Sequence, residues 1–317
     1  MSFYFAPLEG ITGYIFRNAY NEYFGEGIDK FYAPFIMPHV KRAFSNKELN
    51  EILPENNSNI NLVPQILTDN AEDFTRLKNE FRSMGYEEIN LNLGCPSGTV
   101  TAKGRGAAML GDLNKLDQFL DEIFKTGDEN ISIKTRIGVS EVDEFEKLYK
   151  VYIKYPIKEL IVHPRVMEEM YRGKAHRDVF FDVTKDSPIP LCYNGDIFTK
   201  EDYEEILTRC NDSGNSIEMV NIMLGRGLLK NPTLVQVIMG MDTADSKEIN
   251  TRTYNMLCKL KKDYSLVFSG QTPVLFKLKE IWSYLATGIA EGNKLNKKVM
   301  KSKSLEEFDT YIRMILL

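Results

Sequence analysis

A chain of 317 residues with 43% hydrophobic and 27% charged side chains can bury a sizeable core, and its length favours one large domain with a smaller appendage. The formal net charge of -5 gives no reason by itself to expect a nucleic-acid partner, and no stretch reaches the roughly 20 apolar residues of a membrane span. Four cysteines (Cys95, Cys192, Cys210, Cys258) without a CxxC pair, and only three histidines, argue against a disulfide framework and against a Cys/His zinc site, so no metal is expected.

The first residues carry no basic n-region and run directly into a strand-like segment, which speaks against a signal peptide and for a cytoplasmic protein. In chain order, short apolar, β-rich runs fall at 3–6, 31–35, 61–66, 88–92, 131–135, 159–163, 190–194 and 219–223. Helical patterns separate them, such as Ala71, Phe74, Leu77, Phe81 and Met84, then Leu113, Leu116, Phe119, Leu120 and Ile123. Eight strands alternating with helices predict a (β/α)8 TIM barrel rather than an open doubly wound sheet. After Gly240 the alternation stops. Helices are predicted over 247–268 and 272–288, the second with Leu275, Leu278, Ile281, Trp282, Leu285 and Ile289 along one face, and a last one from Ser304, an N-cap with Glu307 three residues on. The expected domains are therefore a barrel over 1–241 and a small all-helical domain over 242–317. No face is obviously sticky, so a monomer is expected.

Charge is unevenly shared between these parts. Residues 247–317 hold 13 Lys and Arg against 7 Asp and Glu, and residues 1–246 hold 27 against 38. A basic tail on an acidic body fits a polyanionic partner; it also fits a well-solvated lysine-rich helical face.

Chemistry in such a barrel sits just beyond the C-terminal ends of the strands. There the sequence places Pro7, Leu8 and Glu9 after the first strand, Gln65 at the third, Asn92 and Gly94-Cys95-Pro96 at the fourth, and Lys134 and Arg136 on the fifth. His163 ends the sixth, Asn194-Gly195-Asp196 follows the seventh, and Gly225-Arg226-Gly227 the eighth. The two glycine loops on consecutive strands, with Arg226, read as a phosphate site in which backbone N–H groups, a helix N-terminus and a guanidinium converge on an anion. Lys134 could neutralise negative charge on a cofactor ring, form a Schiff base if deprotonated by burial, or simply snorkel out of the mouth. Cys95 could be a nucleophile, a redox thiol, a general acid or a small buried hydrophobe; no histidine lies near it in sequence and no partner cysteine exists, which leaves a neutral thiol delivering one proton.

Ala6-Pro7-Leu8-Glu9-Gly10-Ile11-Thr12, Asn92-Leu93-Gly94-Cys95-Pro96, Lys134-Thr135-Arg136, His163, Asn194-Gly195-Asp196 and Gly225-Arg226 together resemble the tRNA-dihydrouridine synthases over the whole chain. The Asn-x-Gly-Cys-Pro segment is the most specific of these. The resemblance implies FMN as cofactor, NADPH as reductant and tRNA as partner. It implies that Pro7, Leu8 and Glu9 line the flavin ring, that Gln65 meets its pyrimidine edge and that Lys134 sits at its N1/O2 region. His163, Asn194, Gly195, Asp196, Gly225 and Arg226 would hold the ribityl phosphate and its surroundings. Asn92 would orient the uracil, and Cys95 would protonate C5 after hydride reaches C6. Arg165, Tyr171, Arg172 and Lys174, on the loop after the sixth strand, would face the substrate, and the stretch from His39 to Arg42 could touch RNA. The sequence departs from the family where Thr12 is followed by Gly13-Tyr14 and where His163 is followed by Pro164-Arg165-Val166. The alternatives are a dihydroorotate-type FMN dehydrogenase, a flavin-free Schiff-base lyase on Lys134 and a non-catalytic RNA-binding barrel.

Overall fold

The computed structural model describes residues 1–40, 43–125, 127–212, 220–241, 245–289 and 292–317. Strands β1 (Phe3–Phe5), β2 (Lys30–Tyr32), β3 (Leu62–Val63), β4 (Gln65–Ile66), β5 (Ile89–Leu93), β6 (Ile131–Arg136), β7 (Leu160–His163), β8 (Leu191–Tyr193) and β9 (Val220–Leu224) form one parallel sheet in the order β3-β2-β1-β9-β8-β7-β6-β5-β4. The two ends of that order, β3 and β4, are neighbours in the chain, so the sheet curls into a nearly closed barrel. Eight strands were predicted and nine are found because the third is divided at Pro64. Proline has no N–H to give a ladder, although its carbonyl still accepts from Asn90 N at 3.0 Å. The ring is completed where Ile36, beyond β2, bridges in parallel to Ile66 of β4. The other predicted strands lie within one residue of the observed ones at either end, except that the second was predicted to run to 35 and stops at Tyr32; the last was predicted to begin at 219, outside the described residues.

Alternation along the strands sorts the side chains. Phe5, Phe31, Leu91, Ile133 and Val162 face outward, into the main core between sheet and helices. Inside the ring, Tyr4, Ala6, Tyr32, Val63, Ile161, Cys192 and Met223 form a second, smaller apolar cluster. The rest of the interior is polar and buried: Gln65, Glu88, Asn90, Asn92, Ser132 and Glu159.

Beyond the barrel, the helices Ser246–Val267, Gln271–Ile289, Asn296–Lys301 and Leu305–Leu316 match the predicted helical tail, with the Asn296–Lys301 helix added. Asp245 caps the first by accepting from Glu248 N at 2.8 Å, and Ser304 caps the last by accepting from Glu307 N at 3.2 Å. The predicted boundary at 241/242 falls at 242–244, outside the described residues. Trp282, fully buried, and its apolar neighbours join the same contiguous core as the barrel helices. The Gln271–Ile289 helix lies across the barrel mouth. Lys277 Nζ donates to Gly10 O at 2.6 Å, and at Gly288 a Cβ would come within 1.9 Å of Lys230 O, so only glycine permits that approach. Among the described residues no helix is long and apolar enough to cross a membrane.

Glu159 is the least comfortable interior group. Burial pushes its carboxyl up to about 7, against the pull of an Asn221 hydrogen bond (2.6 Å), and its Oε2 has no partner among the described residues. A carboxyl whose folded pKa exceeds its unfolded one destabilises the fold increasingly as pH rises from the unfolded value to the folded one. Glu159→Gln is therefore expected to raise Tm by several degrees at about pH 8 and to leave it nearly unchanged at about pH 5, measured by thermal denaturation at both.

Candidate active site

The C-terminal ends of the strands surround a cavity of about 680 Å³. Pro7, Leu8, Glu9, Gln65, Asn92, Cys95, Lys134, His163, Tyr171, Asn194, Gly195, Asp196, Gly225 and Arg226 all line it, so most of the residues singled out in the sequence converge on one space. Arg165, Arg172 and Lys174 do not.

Cys95 is held through its backbone. Asn92 Oδ1 accepts from Gly94 N at 3.0 Å and from Cys95 N at 2.9 Å, a side-chain-closed turn that sets the loop directly after β5. Cys95 O accepts from Ala107 N at 3.0 Å. Gly106 makes that approach possible: it sits at φ +59, and a Cβ there would lie 2.7 Å from Cys95 O. Arg136 adds a third tether, donating from Nε to Gly94 O (3.0 Å), from Nη1 to Val166 O (2.9 Å) and from Nη2 to Met170 O (2.8 Å). One buried guanidinium thus joins the loops after β5 and β7. Burial raises the Cys95 thiol above its ordinary range and outweighs the opposite pull of Lys134 and Arg136. A protonated thiol at neutral pH suits proton delivery and not nucleophilic attack.

Lys134 stands opposite Asn92 in the β5–β6 register. Burial, reinforced by the Arg136 charge, lowers its ammonium to about 8. Among the described residues it has no hydrogen bond or ion pair, which leaves a positive group open to the cavity.

Asn194 Nδ2 donates to Met223 O at 2.8 Å, tying β8 to β9, and its own carbonyl accepts from His163 Nδ1 at 2.6 Å. That bond leaves the lone pair of His163 on Nε2, facing Arg165 Nη1 at 3.4 Å. Burial, with the Arg136 and Lys134 charges, holds the imidazole well below its usual range, so it is neutral, and neither ring nitrogen is arranged to donate to an anion. Asp196 binds two cations: Arg226 Nη2 donates to its Oδ1 at 2.6 Å, and Arg165 pairs with its carboxylate. Its carboxylate therefore holds Arg226 at the rim. The Arg226 guanidinium lies 5.0 Å from the centre of the Tyr171 ring.

Arg165 departs from its expected place facing substrate. It is fully buried, and besides Asp196 it donates to Arg172 O (3.1 Å) and Gly173 O (2.7 Å), folding the loop after β7 onto the barrel. Arg172 and Lys174 are exposed on that loop, outside the cavity. His39 pairs with Glu48 at 2.6 Å, and Lys41 and Arg42 lie outside the described residues. The helix opening at Arg226 runs only from Arg226 to Lys230, too short for a strong dipole, although its first N–H groups lack helical partners. Sequence reasoning missed Phe35, Phe198 and Tyr284 as lining groups. Phe35 sat at the end of a predicted strand and could have been found by position, whereas Tyr284 arrives from the helix across the mouth.

The family model described as "Dihydrouridine synthase (Dus)" matches residues 4–315. The chain belongs to the dihydrouridine synthase family. A "Probable tRNA-dihydrouridine synthase" of Staphylococcus aureus is 25% identical over 318 residues, covering 96% of this chain and 90% of that protein. "Probable tRNA-dihydrouridine synthase 2" of Bacillus subtilis is 24% identical over 312 residues, covering 96% and 91%. As a dihydrouridine synthase the chain is an oxidoreductase, and the cavity at the barrel mouth is its candidate active site.

The placement of Arg165 has a measurable consequence. Removing one partner of a buried ion pair strands the other, so Arg165→Met is expected to cost about 3 kcal/mol or more in urea denaturation. Exposed Lys174→Met should stay within about 0.5 kcal/mol of the parent. Equal, small effects would return Arg165 to the surface.

Proposed function

We propose that this chain reduces the C5=C6 bond of uridine in tRNA to dihydrouridine, using FMN held at the barrel mouth and NADPH as the reductant. The observation that carries the reading is that one cavity holds a protonated thiol on Cys95, in the loop after β5, and an ammonium on Lys134 of the adjacent β6 that has no partner among the described residues. Family membership gives that pair a reaction, and the names of the relatives give it tRNA as substrate.

The residues present fit a flavin phosphate. The cavity has the size of a cofactor site. Gly225 lines the cavity between β1 and β9, where a Cβ would make only ordinary contacts, 3.4 Å from Ala6 Cβ and 3.7 Å from a Leu8 methyl. Pro7, Leu8, Glu9 and Gln65 would border the ring, Lys134 would oppose negative charge on it, and Asn194, Gly195, Gly225 and Arg226 would surround the phosphate, with His163 and Asp196 behind them as supports. When bound, the flavin supplies a hydride to C6 of the uracil. Cys95 then delivers its proton to C5, and its raised thiol pKa keeps that proton in place until charge develops on the base. Asn92 serves by holding the Cys95 loop. A stacked uridine cannot reach the cavity, so the base has to be extruded into it. The basic segment from Lys247 and the exposed Tyr171, Arg172 and Lys174 would meet the RNA backbone and the flanking nucleotides. The division of labour is a catalytic barrel over 1–241 and an RNA-binding helical part over 242–317.

Nucleoside mass spectrometry on unmodified tRNA incubated with protein, FMN and NADPH tests the reading. The expected result is uridine that gains two hydrogens, with the rate falling at least about a hundredfold in Cys95→Ala. Absence of any reduced nucleoside on tRNA, from protein that binds flavin, would contradict it.

A further inference from the structure

Apart from Glu159, the buried polar groups inside the barrel form one continuous chain of hydrogen bonds. At the floor, Lys30 Nζ donates to Glu88 Oε2 at 2.8 Å. Ser132 Oγ donates to Glu88 Oε1 (2.8 Å), Asn90 Nδ2 to Ser132 Oγ (2.9 Å), Gln65 Nε2 to Asn90 Oδ1 (2.8 Å) and Asn92 Nδ2 to Gln65 Oε1 (2.7 Å). Asn92 Oδ1 then accepts from Cys95 N at 2.9 Å. The chain crosses from the floor of the barrel to its mouth over β4, β5 and β6.

Its direction is set at both ends. An ionised carboxylate can only accept, so Ser132 must spend its one hydrogen on Glu88 and must accept from Asn90. That forces the Asn90 oxygen towards Gln65, the Gln65 oxygen towards Asn92, and the Asn92 oxygen towards Gly94 N and Cys95 N, which can only donate. Reversing any link sets donor against donor where no water can intervene, because Gln65, Asn90 and Ser132 have no exposed surface. Glu88 stays ionised: burial works against its charge, but the Lys30 ammonium and the bonds from Lys30 and Ser132 hold its carboxyl below the usual range.

We propose that the Glu88 carboxylate at the floor of the barrel positions Cys95 at the mouth, acting through Ser132, Asn90, Gln65 and Asn92 as a directional relay. Glu88, Ser132 and Asn90 are positioning residues, since none of the three lines the cavity. The proposal rests on the reading of Cys95 as proton donor only for its effect on turnover.

Two substitutions reverse or break the relay. In Glu88→Gln the Lys30 ammonium requires the amide oxygen, which turns the amide nitrogen towards Ser132 and inverts the first link. Ser132→Val and Ser132→Thr have the same shape and differ only in the hydroxyl, so their comparison cancels any packing effect. The readouts are the iodoacetamide alkylation rate of Cys95 in the full chain, by peptide mass spectrometry with Cys258 as internal reference, and kcat and KM on tRNA. Glu88→Gln and Ser132→Val are expected to alkylate several-fold faster at Cys95 alone and to lose about tenfold or more in kcat with KM unchanged. Ser132→Thr should behave as the parent. Identical Cys95 rates in Ser132→Val and Ser132→Thr would overturn the relay, and that pair decides the matter if Glu88→Gln does not fold. Cys95 rates that split as expected in proteins that never reduce uridine would uphold the relay and remove the assigned reaction instead.

Discussion

Closing a parallel sheet on itself aims every second side chain of each strand into a space without water, and that space has to be filled and satisfied. This barrel divides the task. One side is apolar, built on Tyr4, Tyr32, Ile161, Cys192 and Met223; the other is the hydrogen-bonded file from Glu88 to Asn92. A buried polar file is stable only when every member is satisfied, and a satisfied one admits a single arrangement. The interior therefore does more than fill volume: it imposes an orientation on the amides beneath the mouth, and the Cys95 loop inherits it.

Above that floor the mouth is organised by three arginines of different character. Arg136 and Arg165 are buried and spend their donors on backbone carbonyls of neighbouring loops, so they act as struts. Arg226 is partly exposed and held by Asp196. With Lys134 unpaired among the described residues, the cavity keeps a positive surplus that its own acidic groups do not cancel, a surface suited to an anionic ligand. The same positive field, with burial, explains a neutral His163. Burial has the opposite effect on Cys95, retaining its proton, because a thiol is charged only when it loses that proton and an imidazole only when it gains one.

Much of this was legible in the sequence for a simple reason. Strand positions follow from short β-rich runs, and a barrel sends their C-terminal ends to one rim, so Gln65, Asn92, Lys134 and Asn194 could be placed before any coordinates. Pro64 was visible, but its power to split a strand depends on which neighbour asks for its N–H. Arg165 was misread because a loop arginine looks the same on paper whether it faces water or is swallowed by the loop's own carbonyls. The inward use of Gln65 and Asn92 was hidden because it depends on bonds that cross between β4, β5 and β6, through Asn90 and Ser132 to Glu88. Tyr284 reaches the mouth only because Gly288 lets its helix press against Lys230.

The proposed placement of a flavin opposite Lys134 is tested most directly by titration of the purified chain with FMN, followed by flavin fluorescence. With burial lowering the Lys134 ammonium to about 8, affinity should fall between about pH 7 and pH 9, and Lys134→Met should bind more weakly with little pH dependence. Binding that is equally strong in the parent and in Lys134→Met at both pH values would contradict the account, as would no binding at all.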